Sequence, residues 1–187
     1  MNVLDVAVEV IDALNRCKAG YMLVGSLASN LYGIPRNTND ADFVLAPQTA
    51  DAESISTILG DSYKLDPQIS FESITLTLRR VLNHAETGFL IEFFELSDDA
   101  HDRSRFDRRT QIEFLCRPAY VPTVEDVIIT KLRWAVTGRR AKDLSDVKSV
   151  LAVQDTDDLD LNYLYRWTDM HGTAALLKEL LANTPRL

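Results

Sequence analysis

The chain is 187 residues long, with 46% hydrophobic and 26% charged residues, a length and balance that suit one folded domain with a helical appendage and exclude a disordered polypeptide. Its net charge of −8, from 20 Lys and Arg against 28 Asp and Glu, excludes a protein that coats nucleic acid through a broadly basic surface but leaves room for a local basic site. No run approaches the roughly 18 apolar residues that cross a bilayer, and the N-terminus lacks the basic-then-apolar pattern of a secretory leader, so a cytoplasmic location without a membrane partner is expected.

Residues 3 to 16 place Val3, Val6, Ala7, Val10, Ile11 and Leu14 on one stripe and predict an amphipathic helix that stops before Gly20. Tyr21 to Val24 reads as a short strand, Gly25-Ser26 as a turn, and the segment to Gly33 as a helix. After loop residues 34 to 39, Asp40 to Leu45 reads as a second strand, and a third helix is expected over about 49 to 59. Asp66-Pro67 has the form of a helix start, so residues 67 to 79 are read as helical, although Ile74, Leu76 and Leu78 alternate as in a strand. Two apolar arms around Glu86-Thr87-Gly88 predict a hairpin whose second arm is Phe89 to Leu96. A charged helix near 98 to 109 and a strand from Gln111 to Cys116 complete an α/β domain to about residue 121.

The character changes at Pro122. Thr123 is read as a helix cap with Asp126 in the capping-box position, and helices are predicted over 123–137, 140–153, 161–170 and 173–183. The expected division is therefore 1–121, an α/β domain, and 122–187, a helical region. Cys17 and Cys116, in apolar segments without ligand spacing, are read as buried core thiols. His84, His101 and His171 likewise show no ligand spacing and are assigned surface or structural roles.

The chemistry concentrates on three acids. Side chains alternate along a strand, so Asp40 and Asp42, separated only by Ala41, share a face. Like charges held that close raise one pKa unless a cation offsets them, and hard divalent ions take carboxylate oxygens of this kind. Glu92 sits in the apolar run Phe89 to Phe94, where it needs a metal or another cation as partner unless it points out to water; Glu95 falls on the opposite face, so only one of the two joins the site. Gly25-Ser26, at a strand-to-helix turn, is the type of place where a missing side chain lets phosphate approach backbone N–H groups.

Gly25-Ser26, then Arg36, Thr38, Asp40 and Asp42, with Glu92 as a third strand acid, resemble the signature of the polymerase-beta-like nucleotidyltransferase superfamily. Val121 to Ile128, leading to Lys131-Leu132, Arg139 or Arg140 and Lys142-Asp143-Leu144-Ser145-Asp146, resembles the second motif of the AbiEii abortive-infection toxin nucleotidyltransferases; the match runs in order over residues 20 to 153. The resemblance implies a nucleotidyltransferase-fold α/β (α+β) mixed sheet with flanking helices, followed by a helical part. It also implies a Mg²⁺- or Mn²⁺-dependent transferase that moves a nucleoside monophosphate from a nucleoside triphosphate to an acceptor hydroxyl. By position, Asp40, Asp42 and Glu92 would hold metal, with Glu92 helping to activate the hydroxyl. Gly25 and Ser26, with Arg36 and Thr38, would hold the triphosphate; Lys131 would neutralise phosphate charge and Asp143 would orient Lys131 or the substrate.

The AbiEii resemblance further implies tRNA as acceptor and a cognate antitoxin as partner in a toxin–antitoxin system. Two departures stand beside it: Glu92 where Asp is commoner, and a chain short for an AbiEii toxin. They leave two other readings open, a non-catalytic binding or regulatory module and a small-molecule transferase of the aminoglycoside-modifying type. For an RNA acceptor, the grip is expected from Arg103, Arg105, Arg108 and Arg109, with salt bridges to neighbouring aspartates as the alternative. Loss of Lys131 is expected to weaken nucleotide handling and to spare folding.

Overall fold

The apolar stripe near the N-terminus forms helix α1 (Val3–Arg16) in the computed structural model, which describes residues 2–187. Asn2 caps it. The Asn2 side chain accepts from the Leu4 and Asp5 N–H groups, and the Asp5 carboxylate accepts from Asn2 N–H in return, which satisfies donors that a first turn leaves free.

Strand β1 (Tyr21–Val24), helix α2 (Gly25–Tyr32), strand β2 (Asp40–Leu45) and helix α3 (Ala52–Leu59) follow, and then strands β3 (Tyr63–Leu65), β4 (Ser70–Phe71), β5 (Leu78–His84) and β6 (Leu90–Glu95). Helix α4 (Ala100–Asp107) leads to a hairpin, β7 (Thr110–Phe114) and β8 (Arg117–Val121). The chain ends in helices α5 (Val124–Thr137), α6 (Ala141–Val153), α7 (Leu161–Met170) and α8 (Ala174–Asn183). The main sheet runs β1-β2-β6-β5-β3, with β4 on β5. Only β2 and β6 pair in parallel; the other pairs are antiparallel. This is the mixed sheet with flanking helices that the sequence predicts.

One face of the sheet carries Phe43, Ile91, Phe93 and Leu82 into a core shared with α1, α3 and the β7–β8 hairpin. Each such side chain contributes on the order of 1.5 to 3 kcal/mol by leaving water. A second core joins α5, α6, α7 and α8 through Ile128, Leu132, Val150, Leu164 and Leu177. Helix α2 belongs to both, since Leu27 packs into the first and Ala28 into the second. The other sheet face is covered in part by Phe106 of α4, packed with Met22, Val24 and Val44. No helix among the described residues is long and apolar enough to cross a membrane.

Three expectations are corrected. Residues 67 to 79 are not helical: Ser70 and Phe71 pair with Arg79 and Leu78, and the Glu72 carboxylate accepts from the Ile74 and Thr75 N–H groups to close the turn between them. Asp66 caps only a local turn, accepting from Gln68 N–H, and Ile74 and Leu76 lie in the turn between β4 and β5, Leu76 at φ 57°, so neither the helix-start signal nor the alternation describes residues 72 to 77. The strand after α4 does not join the main sheet but pairs with β8. Its turn, Leu115-Cys116, has φ of 47° and 63°, the geometry of a two-residue hairpin turn without the glycine or asparagine that usually advertises it. Cys116 is therefore exposed at a turn, and Cys17 is only half-buried at the end of α1, where its Sγ donates to Ala13 O.

Candidate active site

Strand pairing sets the acids. In the parallel pair, Asp42 of β2 lies at the level of Glu92 of β6, and Asp40 precedes it by two residues on the same face, so the carboxylates come from strands about 4.8 Å apart. All three are half-buried. Burial first, then the charges of Asp40 and Glu92, push the Asp42 carboxyl up to about 7, against a smaller opposing effect of Lys131 and Lys142. The Thr38 hydroxyl donates to the Asp40 carboxylate.

Gly25, the first residue of α2, lies against Asp42. Its φ is +65°, and a Cβ placed on it would meet Asp42 Oδ2 at 1.8 Å. Only glycine accepts both that backbone and that contact. Part of the room that a missing side chain creates at this turn is thus taken by Asp42, at the end of a helix whose dipole favours negative charge. Ser26 is buried and accepts from Arg36 Nη2 at 2.8 Å.

Arg36 also donates to both oxygens of Asp146, at 2.6 and 3.0 Å. Lys131 Nζ lies 2.8 Å from Asp143 Oδ1 and 2.8 Å from Asp146 Oδ2, and Arg140 pairs with the far oxygen of Asp143 at 2.9 Å. A continuous charge network therefore runs from Ser26 through Arg36, Asp146, Lys131 and Asp143 to Arg140. Burial works against the ionised form of Asp146, yet hydrogen bonds from Arg36 and Lys131 hold its carboxyl below the usual range.

Two partners were hidden in the sequence. Arg79 of β5 donates to both oxygens of Glu92, one bond at 2.9 Å and the second shorter. The cation that half-buried Glu92 calls for is thus supplied by the neighbouring strand. Arg79 faces Phe94 and is diagonal to Glu92, a relation that depends on register and has no local signature. Asp146 lay within the Lys142-to-Asp146 segment but had no assigned role.

Asp126 does not complete a capping box. Its carboxylate is fully buried and binds His101 Nε2 at 3.1 Å, the Tyr163 hydroxyl at 2.8 Å and the Thr123 hydroxyl at 3.0 Å. His84 is buried too, with Nδ1 2.7 Å from Thr87 Oγ1.

The arginines near α4 are internally engaged. Arg105 is buried and pairs with Asp102 at 2.9 Å; Arg108 lies over the Tyr163 ring; Arg109 lies over Phe106; Arg103 pairs with Asp98. They do not form an open RNA-facing strip, and the salt-bridge alternative describes Arg103 and Arg105.

Beside Asp42 and Lys131, between the sheet and helices α4 and α5, lies a cavity of about 60 Å³ lined largely by apolar groups, including Val24, Val44, Phe94 and Trp134. The turn carrying Glu72 and Thr75 closes one side.

Three solved structures share this architecture along nearly their whole length. A nucleotidyltransferase-like protein from Paracoccidioides brasiliensis matches at 17% identity and a TM-score of 0.53, over 98% of this chain and 94% of that one. ANT(2'')-Ia, solved in complex with adenylyl-2''-tobramycin, matches at 11% identity and a TM-score of 0.61, over 92% and 98%. JHP933 from Helicobacter pylori matches at 15% identity and a TM-score of 0.56, over 95% and 88%. The chain has the nucleotidyltransferase fold. No protein-family model matches the sequence, and no curated protein does.

Within that fold, Asp40 and Asp42 are chemically suited to a hard divalent cation: they share one strand face, Asp42 resists ionisation, and among the described residues no arginine or lysine forms a salt bridge with either. Glu92 fits such an ion only in exchange for Arg79, which holds both of its oxygens.

Proposed function

We propose that the chain is a Mg²⁺-dependent nucleotidyltransferase that moves a nucleoside monophosphate from a nucleoside triphosphate to an acceptor hydroxyl. The observation that carries this is the Asp40–Asp42–Glu92 cluster on adjacent strands, packed against the glycine that opens α2. In the reaction the acceptor oxygen bonds to the α-phosphorus, the bond to pyrophosphate breaks, and the hydroxyl proton passes to Glu92. Mg²⁺ held by Asp40 and Asp42 would supply the positive charge that the reacting phosphate needs. Ser26 and the α2 N-terminus bind the triphosphate, with Arg36 holding Ser26 in place. Lys131, oriented by Asp143 and Asp146, sets a positive charge near Asp42.

For the acceptor, a small molecule is favoured over tRNA. The arginines expected to grip RNA are committed to intramolecular partners. ANT(2'')-Ia, of like fold, was solved with a small molecule joined to a nucleotide. The toxin reading, with tRNA as acceptor and an antitoxin as partner, rests on the 121–146 motif alone.

The test is incubation with each radiolabelled nucleoside triphosphate and Mg²⁺, with a panel of hydroxylated small molecules in one arm and total RNA in the other. Labelled small-molecule product and released pyrophosphate are expected, both absent in Asp42→Asn. Label in a tRNA-sized band would replace the small-molecule acceptor with RNA. No transfer in either arm, with no Mg²⁺-dependent nucleotide binding, would reject the activity.

A further inference from the structure

On the helical side of the cavity beside Asp42, which His101 and Arg133 also line, the fold gathers another set of metal-binding groups. Asp99 caps α4, His101 lies in its first turn, and His171 ends α7; one ligand atom from each lies within 4.8 Å of the others. His171 lies far along the chain from Asp99 and His101, which hides this grouping from any reading of local spacing.

The histidines are set as ligands usually are. His101 is 1% exposed and directs Nε2 to the buried carboxylate of Asp126 at 3.1 Å. A carboxylate behind an imidazole fixes the ring and its tautomer, and leaves the other nitrogen to a metal. Nδ1 of His171 is buried and has no hydrogen-bond partner, an arrangement that costs free energy unless something binds there. The ring centroids of His101 and His171 are 5.2 Å apart and near perpendicular, and Trp167 packs on both. Asp99 Oδ2 is 3.0 Å from Arg133 Nη2, so Arg133 supplies the positive charge at this point.

We propose that Asp99, His101 and His171 form a site for a borderline divalent transition ion, Zn²⁺ foremost, that clips α4 to the end of α7. Two imidazoles and one carboxylate suit Zn²⁺, whereas Mg²⁺ prefers an all-oxygen set. Three protein groups leave a further position for water. Arg133 competes with the ion for Asp99 and swings away when it binds. The residues are separate from Asp40, Asp42 and Glu92, and the site stands whether or not the chain transfers nucleotides.

The full chain, stripped with chelator and dialysed, is titrated with Zn²⁺ by calorimetry and with Co²⁺ by visible absorption. Wild type and Asp42→Asn are expected to bind one Zn²⁺ with equal affinity. His171→Gln should lose roughly tenfold or more, since even outer-shell partners act on that scale, and should lose the Co²⁺ band. Arg133→Gln should bind more tightly than wild type because the competing cation is gone. Asp99→Asn is the second variant: asparagine keeps the helix cap and removes the anionic ligand, so it decides the matter if His171→Gln does not fold. Absence of saturable Zn²⁺ binding by the wild type, or wild-type affinity in folded His171→Gln and Asp99→Asn, would overturn the site.

Discussion

Asp42 shows how a single residue can be set at odds with its surroundings. Its folded-state carboxyl, pushed up to about 7 by burial and by Asp40 and Glu92, holds a proton over a pH range where the unfolded chain has released it. Stability from this group is therefore fully present below the unfolded value near 4 and is lost as pH rises through about 7. Metal-free Asp42→Asn should be more stable than wild type at pH 8, by a few kcal/mol at most, with the gain shrinking toward pH 5. Chemical denaturation across that range is the measurement, and a pH-independent difference would contradict this account of Asp42. Gly25→Ala tests the same contact from the other side. An added Cβ meets the Asp42 carboxylate at 1.8 Å and must adopt φ +65°, a strain of order 1 to 3 kcal/mol. The variant should melt lower and bind Mn²⁺ more weakly; wild-type values for both would show that Asp42 moves aside freely. The pair Asp40 and Asp42 was legible in the sequence because strand alternation alone places them on one face. The intimacy of Gly25 with Asp42 was not, since it needs the β1–β2 register that sets Val24 opposite Asp42.

At the scale of elements, what could be read depended on whether the signal was local. Helix α1 and strands β1, β2 and β6 carry their periodicity in their own residues, and they form where expected. The segment before β5 carried two contradictory signals, and neither held, because Ser70 and Phe71 pair with β5 and leave residues 72 to 77 as the turn. Strand β8 was missed because its turn uses Leu115 and Cys116 at positive φ. Arg79 shows the consequence for function: β5 was anticipated only in part, and so its cation next to Glu92 was not. A metal bound at Glu92, as proposed, would compete with Arg79 for the same two oxygens. Arg79→Met should therefore bind Mn²⁺ more tightly, by about tenfold or 1.4 kcal/mol, while the metal-free protein loses a little thermal stability because Glu92 has no partner. Electron paramagnetic resonance titration of free Mn²⁺ reads the first effect directly. If affinity is unchanged or falls, Arg79 is not a competitor at Glu92 but part of the bound state.

At the scale of the whole molecule, the sheet and the helical region meet at a buried charge network, and this changes what Lys131 means. Read from sequence, Lys131 is a surface contact for phosphate whose loss spares folding. In the fold its side chain is 9% exposed and holds Asp143, which is fully buried, and Asp146. Arg36 ties the same network to α2 through Ser26, and Arg140 holds only the outer oxygen of Asp143. Removing one member of a buried ion pair leaves the other without compensation and typically costs about 3 to 5 kcal/mol, whereas removing both costs far less. Lys131→Met should therefore unfold at clearly lower urea at pH 7, and adding Asp143→Asn should restore much of the loss. Nucleotide affinity, measured below the unfolding transition, should fall in both variants if Lys131 also serves the triphosphate. A Lys131→Met midpoint equal to wild type would return the residue to a phosphate contact alone; a midpoint that falls and is not recovered by Asp143→Asn would place the cost on Asp146, the remaining partner of Lys131.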